Sequence, residues 1–193
     1  AIIATPADSR LEITKFLIKA FKVKYWILEK ILVQRSADLE YLRCLFIQQH
    51  KVWVNMPRRS VKWFQSIHTA IQSTRPLSIS VDSHNLGLAC NAVHFIDMAM
   101  WFVNQNTIKL EASNLSPSWH KAKRQGFWEV EGTISGLFEC GSTISISDHV
   151  AVGKPTDYKI TINENGYQWT IDEEKGLAKR ADGFSIAGEM PLQ

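Results

Sequence analysis

Within the first 56 residues, three short apolar runs are separated by two stretches of helical period. That alternation constrains the fold more than any other feature of the chain. The runs are 1–5 (AIIAT, stopped by Pro6), 23–28 (VKYWIL) and 51–55 (KVWVN). Runs of this length and apolarity suit buried strands of a parallel sheet. Between the first two, Ser9 and Glu12 have capping-box spacing, and Ile13, Phe16, Leu17 and Ala20 follow on one helical face. Ser36 is placed to cap a second helix, running to about Gln49 and carrying Leu39, Leu42, Leu45 and Phe46. Strand, helix, strand, helix, strand in that order requires crossovers, and so a parallel sheet.

After Pro57 the pattern changes. Phe64, Ile67, His68 and Ile71 mark a helix, and His68 on its apolar stripe reads as a satisfied core residue. PLSISVDS alternates as a strand does, and the helical stretch ACNAVHFIDMAMWF follows it. From about Thr107, FWEVEGTISGLFE and STISISDHV are separated by Cys140-Gly141, and YKITINENGYQWTID is centred on Asn165-Gly166. An Asn-Gly pair between alternating strands is a strong hairpin signal. The predicted architecture is therefore α/β followed by α+β: the C-terminal portion of a Rossmann-type parallel sheet over 1–56, then a mostly antiparallel open sheet with packed helices over 57–193. The chain opens inside a strand-like run and stops at GEMPLQ without a closing element, so it reads as an excised piece truncated at both ends.

Composition narrows the function classes. Lys and Arg total 22 against 19 acidic residues, a net charge of only +3. That is too small and too evenly spread to argue for a nucleic-acid partner. Cys44, Cys90 and Cys140 are odd in number and form no CxxC pattern, which suits a reducing, cytoplasmic setting. No apolar run approaches the ~20 residues that span a bilayer, so no membrane partner is expected.

The helix at 89–102 carries the polar residues that most need explaining. At 100° per residue, Val93, Ile96, Met100 and Val103 form one stripe, the expected core face, and His94, Asp97 and Trp101 form the stripe beside it. As a metal site this is poor. Two ligands at i, i+3 need a third, and His84, His120 and His149 have no supporting spacing, so no metal is expected. As an acid–base site it is plausible, because histidine titrates near neutrality and can take a proton from an alcohol; a core histidine is the open alternative. Lys30, just past the second strand, lies where open parallel sheets bind ligands; a solvent-exposed lysine at a strand end is the open alternative.

Taken in order, IIATPADSRLEI, the strand ending LEKILVQ, and the alternating strand leading into GLACNAVHFIDMAMWF resemble the Gfo/Idh/MocA oxidoreductases. The resemblance covers nearly the whole chain. It implies an NAD- or NADP-dependent dehydrogenase or reductase acting on a sugar, nucleotide-sugar or cyclitol. Thr5 and Pro6 would match the family's ATP-type turn beside the nicotinamide, and Glu29 and Lys30 its EKP motif, with Lys30 at the reaction centre. His94 would be the catalytic histidine, with Lys30 and His94 reaching one substrate oxygen. Asn91, Asp97 and Arg58 are candidate substrate contacts; separately, the Arg58-Arg59 pair opens a helix, whose N-terminus attracts anions, which suggests a substrate with a negative group, with solvent-exposed arginines as the open alternative. The open sheet would mediate a homo-oligomer. Three positions depart from the family pattern: Ile31 replaces the usual proline, Cys90 the usual aspartate four before His94, and Arg10 the histidine common after the ATP-type turn. The glycine-rich GxGxxG turn is nowhere in the chain, so this piece alone is expected to be inactive. The alternative is a non-catalytic binding or assembly module of the same fold.

Overall fold

A computed structural model describes residues 1–47, 51–71, 76–164 and 166–189. The chain divides into two compact units, Ala1–Met56 and Pro57–Gln193.

The first unit is a three-stranded parallel sheet, β1 (Ile2–Ile3), β2 (Trp26–Leu28) and β3 (Val52–Val54), in the order β1-β2-β3. Helices α1 (Ala7–Ala20) and α2 (Ser36–Phe46) make the two crossovers. Ile3, Trp26 and Leu28 are buried with Leu11, Val33 and Leu42, and the Trp26 ring meets Phe46 edge-on at 5.3 Å. The opposite face presents Ile2, Ile27 and Trp53 to solvent, so these strands are buried on one face only among the described residues. The capping box does not form. Pro6, with φ already near the helical value, is the N-cap, and the helix starts at Ala7. Ser9 donates back to the Pro6 carbonyl, and Glu12 pairs with Lys15. The buried line of α1 is Arg10, Leu11 and Thr14 rather than the expected Phe16 stripe; Phe16 is exposed. Ser36 is the first residue of α2 rather than its cap, and Gln49 lies outside the described residues.

The second unit begins with a short 3-10 helix, Pro57–Ser60, and α3 (Lys62–Ala70). An eight-stranded sheet follows: β4 (Leu77–His84), then after α4 (Leu88–Phe102) β5 (Lys109–Lys121), β6 (Trp128–Leu137), β7 (Thr143–His149), β8 (Asp157–Glu164), β9 (Tyr167–Asp172), β10 (Leu177–Arg180) and β11 (Ser185–Ala187). Their order is β11-β10-β9-β8-β4-β7-β6-β5, antiparallel throughout except where β4 runs parallel to β7. Strict alternation sends Leu77, Ile79 and Val81 of β4 and Ile160 and Ile162 of β8 to the helix-covered face. Ser78, Ser80, Thr161, Asn163, Ser145 and Ser147 stand on the other, polar face. β6 departs from alternation: Glu129 and Val130 are both buried, near Gly132 with φ +120° and two register shifts in the paired β5. Gly141, at φ +83°, turns the β6–β7 hairpin; of the expected Asn165-Gly166 turn joining β8 to β9, Asn165 lies outside the described residues and Gly166 has φ +89°.

Candidate functional site

In the first unit, the carboxyl ends of all three parallel strands are tied together. The Glu29 amide donates to the Ile3 carbonyl at 3.0 Å and the Asn55 amide to the Leu28 carbonyl at 2.8 Å, continuing the ladder past the strands. The Asn55 side-chain amide donates to Glu29. Arg10, from the first turn of α1, is 2% exposed. Its guanidinium donates to the Thr5 carbonyl after β1 and to the Ile31 carbonyl after β2, with a longer bond of 3.3 Å to the Leu32 carbonyl. Burial lowers the Arg10 pKa from its ordinary value, and the nearby Glu29 carboxylate works against that shift. Thr5, Glu29 and Lys30 are thereby held at neighbouring strand ends, where open parallel sheets bind ligands. The Lys30–Ile31 peptide is cis, at the position where the resembled family usually has proline.

Among the described residues, the Thr5 hydroxyl and Arg10 Nε are buried without a hydrogen-bond partner, and such atoms cost free energy until a polar group meets them. The sequence contains no glycine-rich turn to put backbone N–H groups against a pyrophosphate.

In the second unit, α4 is aimed by carboxylates from neighbouring strands. Asp148 of β7 accepts from the Leu86 and Gly87 amides at 3.0 and 2.9 Å, and from the Ser83 hydroxyl at 3.0 Å. Glu129 of β6 accepts from the Ala89 amide at 2.8 Å. A negative group at a helix N-terminus is favourable, yet the Glu129 pKa is raised, because desolvation outweighs the Ala89 and Cys90 N–H groups and Asp148 adds like charge. Asn91 Nδ2 donates to the Leu86 carbonyl at 2.6 Å, so this candidate substrate contact also closes the first turn of the helix.

His94 stands half-buried on α4. The helix is rotated from the expected phase: Leu88, Ala92, Phe95, Met98, Ala99 and Phe102 are buried, while Val93, Ile96, Met100 and Val103 are only partly so. Apolar residues nearly encircle the helix, so two stripes competed and the pattern could not choose between them. The stripe of His94, Asp97 and Trp101 survives as a half-buried margin. Arg59 grips the Asp97 carboxylate with two bonds, of 2.7 and 2.8 Å, and His68 stacks on Trp101 with ring centroids 4.3 Å apart. His68 also meets the Trp101 carbonyl at 3.2 Å, as a satisfied core histidine should.

Arg58 requires a correction. It lies in the 3-10 helix, 5% exposed, with Nε and Nη2 on the Glu173 carboxylate at 2.8 and 3.1 Å and the guanidinium 4.5 Å from the centroid of the Phe95 ring. Tyr158 donates to the same carboxylate, and burial beside Glu173 pushes its phenol up to about 12. Arg58 is a buried structural cation, not an open anion receptor. Glu173 lies 115 positions away in sequence, too far for any local pattern to pair them. Among the described residues, no group of three or more His, Cys, Asp or Glu side chains could hold a metal ion. Nor is any described helix long and apolar enough to cross a membrane.

The sequence matches no family model and no curated protein sequence. Solved structures do match. The dehydrogenase MviM of Clostridium difficile superposes with a TM-score of 0.72 at 16% identity, over 97% of this chain and 62% of its own. UDP-N-acetylglucosamine 3-dehydrogenase GnnA of Acidithiobacillus ferrooxidans gives 0.70 at 10% identity, over 100% of this chain and 64% of its own. These are proteins of Gfo/Idh/MocA type. This chain has their fold. An NAD-binding oxidoreductase of Klebsiella pneumoniae matches over 93% of this chain and 55% of its own, with a TM-score of 0.66 at 11% identity. The chain thus spans less than two thirds of the length of each of these three solved structures.

Proposed function

We propose that the full-length protein is an NAD(P)-dependent oxidoreductase acting at a hydroxyl-bearing carbon of a sugar, nucleotide-sugar or cyclitol. The observation that carries this reading is the placement of Thr5 and Lys30 at adjacent parallel-strand ends, in a fold shared with dehydrogenases along nearly the whole chain. The nicotinamide, when bound, supplies the hydride acceptor or donor. Thr5, Pro6 and Glu29 border its half of the cofactor. His94 takes the proton of the substrate hydroxyl, or returns it in the reverse direction. In the first unit, the Lys30 ammonium can donate a hydrogen bond to a substrate oxygen and favour developing negative charge on it. Asn91, and Asp97 held by Arg59, border the substrate; Arg58 has no part in it. The open polar face of the large sheet is where a second copy would dock.

The decisive experiment is titration of the full-length protein with NADH and NADPH, followed by turnover on a panel of sugars, cyclitols and UDP-N-acetylglucosamine. His94→Ala should lower kcat by roughly 10²–10⁴, with cofactor affinity nearly unchanged. Lys30→Ala should damage both turnover and substrate binding, since its charge acts in ground and transition states. Near-normal turnover in His94→Ala would sink the mechanism. A protein that binds neither cofactor would be the non-catalytic module of the same fold, the reading that Ile31 and Cys90 keep in play.

A further inference from the structure

We infer that Arg10 is a positioning residue for the nicotinamide half of the site, a fixed brace between the turn that holds Thr5 and the turn that presents Lys30. The inference rests on the oxidoreductase reading above. A guanidinium offers five N–H donors in one rigid plane, so a single side chain can satisfy carbonyls from separate segments and fix the distance between them. Arg10 does this with the Thr5 carbonyl on one side and the Ile31 and Leu32 carbonyls on the other, from a buried position on α1. Lys30 is consequently pinned on both flanks: the Glu29 amide is bonded to Ile3, and the Ile31 carbonyl is bonded to Arg10. Proline would fix φ at residue 31 by its ring; isoleucine does not. The brace supplies by hydrogen bonding part of the restraint that a proline would supply covalently.

The test compares two ligands in the full-length protein. NADH carries the nicotinamide, and ADP-ribose has the same adenine, riboses and pyrophosphate without it. Arg10→Lys keeps the charge and removes the fork. Calorimetric titration should show NADH affinity falling at least tenfold, while ADP-ribose affinity stays within about twofold. A merely structural role would move both together or neither, and either result overturns the inference. If the unsubstituted protein binds neither ligand, the oxidoreductase reading falls. The brace can still be read directly in the unsubstituted protein from the Arg10 side-chain nitrogen resonances. A braced guanidinium shows separate Nη1 and Nη2 signals. A single averaged signal means free rotation and overturns the brace, including in the case where Arg10→Lys fails to fold.

Discussion

Arg58 and Arg59 are adjacent in sequence and opposite in energetic character. The Arg58–Glu173 pair is almost wholly buried, with side chains 6% and 5% exposed, whereas those of Arg59 and Asp97 are 42% and 21% exposed. Removing one partner of a buried pair leaves an uncompensated charge and costs about 3–5 kcal/mol. An exposed pair is worth about 0.2–1 kcal/mol. Urea unfolding should therefore show Arg58→Ala destabilised by several kcal/mol and Arg59→Ala by about 1 kcal/mol or less; similar losses in the two variants would refute the assignment. Nothing in the dipeptide distinguishes them, because what separates them is a glutamate on a turn after the β9 strand. Glu129 makes a second test. A carboxyl whose pKa is raised on folding adds stability that is full below its unfolded value and is lost as pH rises through its folded value. The stability of Glu129→Gln relative to the unsubstituted protein should accordingly rise as the pH climbs above the ordinary carboxylate range. Unfolding curves at a series of pH values would show it, and a flat or falling difference would mean that burial does not govern this group.

The elements were legible in proportion to how local their causes are. Strands with clean alternation, such as β4 and β8, and the parallel order of β1 to β3 could be read from spacing alone. The phase of α4 could not, because an almost wholly apolar helix takes its rotation from what it packs against. The capping pattern of Ser9 and Glu12 points to a later start for α1 than the boundary that Pro6 sets. The brace by Arg10 and the carboxylates aiming α4 were invisible for another reason: the groups they join are strung far apart along the chain. Gly87 shows how tightly the α4 entrance is built. Its φ is +79°, and a Cβ there would stand 2.9 Å from Glu129 Oε1. Gly87→Ala should cost about 1–3 kcal/mol, combining left-handed strain with displacement of the cap. Chemical denaturation measures it, and a neutral result would mean that Glu129 shifts freely and does not hold the helix.

At the scale of the whole molecule, residues 1–193 hold the strand-end turns of Thr5 and Lys30 and no glycine-rich phosphate anchor. As an isolated piece they should bind NAD(H) weakly or not at all, because the pyrophosphate is the main handle on a dinucleotide in this fold. Tight binding measured by calorimetry would overturn that. The open sheet face carries a self-association test: Thr161→Arg, in a strand at the middle of that face, should lower the mass measured by light scattering if copies pair there. An unchanged oligomer would move the interface elsewhere.

The parallel contact between β4 and β7 has a consequence for the order of events during synthesis. Ser78 pairs with Thr143 on one side and Asn163 on the other. The strand at the heart of the large sheet therefore leaves the ribosome long before either neighbour exists. Hairpins between β6 and β7 and between β8 and β9 can close as they emerge, but β4 must wait for Thr143–His149 to cover one edge and for Asp157–Glu164 to cover the other. Long-range strand pairing is slow because distant chain must be gathered before any contact rewards it. Until β7 is made, β4 is a strand with one apolar face and two open edges, the kind of segment that a chaperone binds or a neighbouring nascent chain captures.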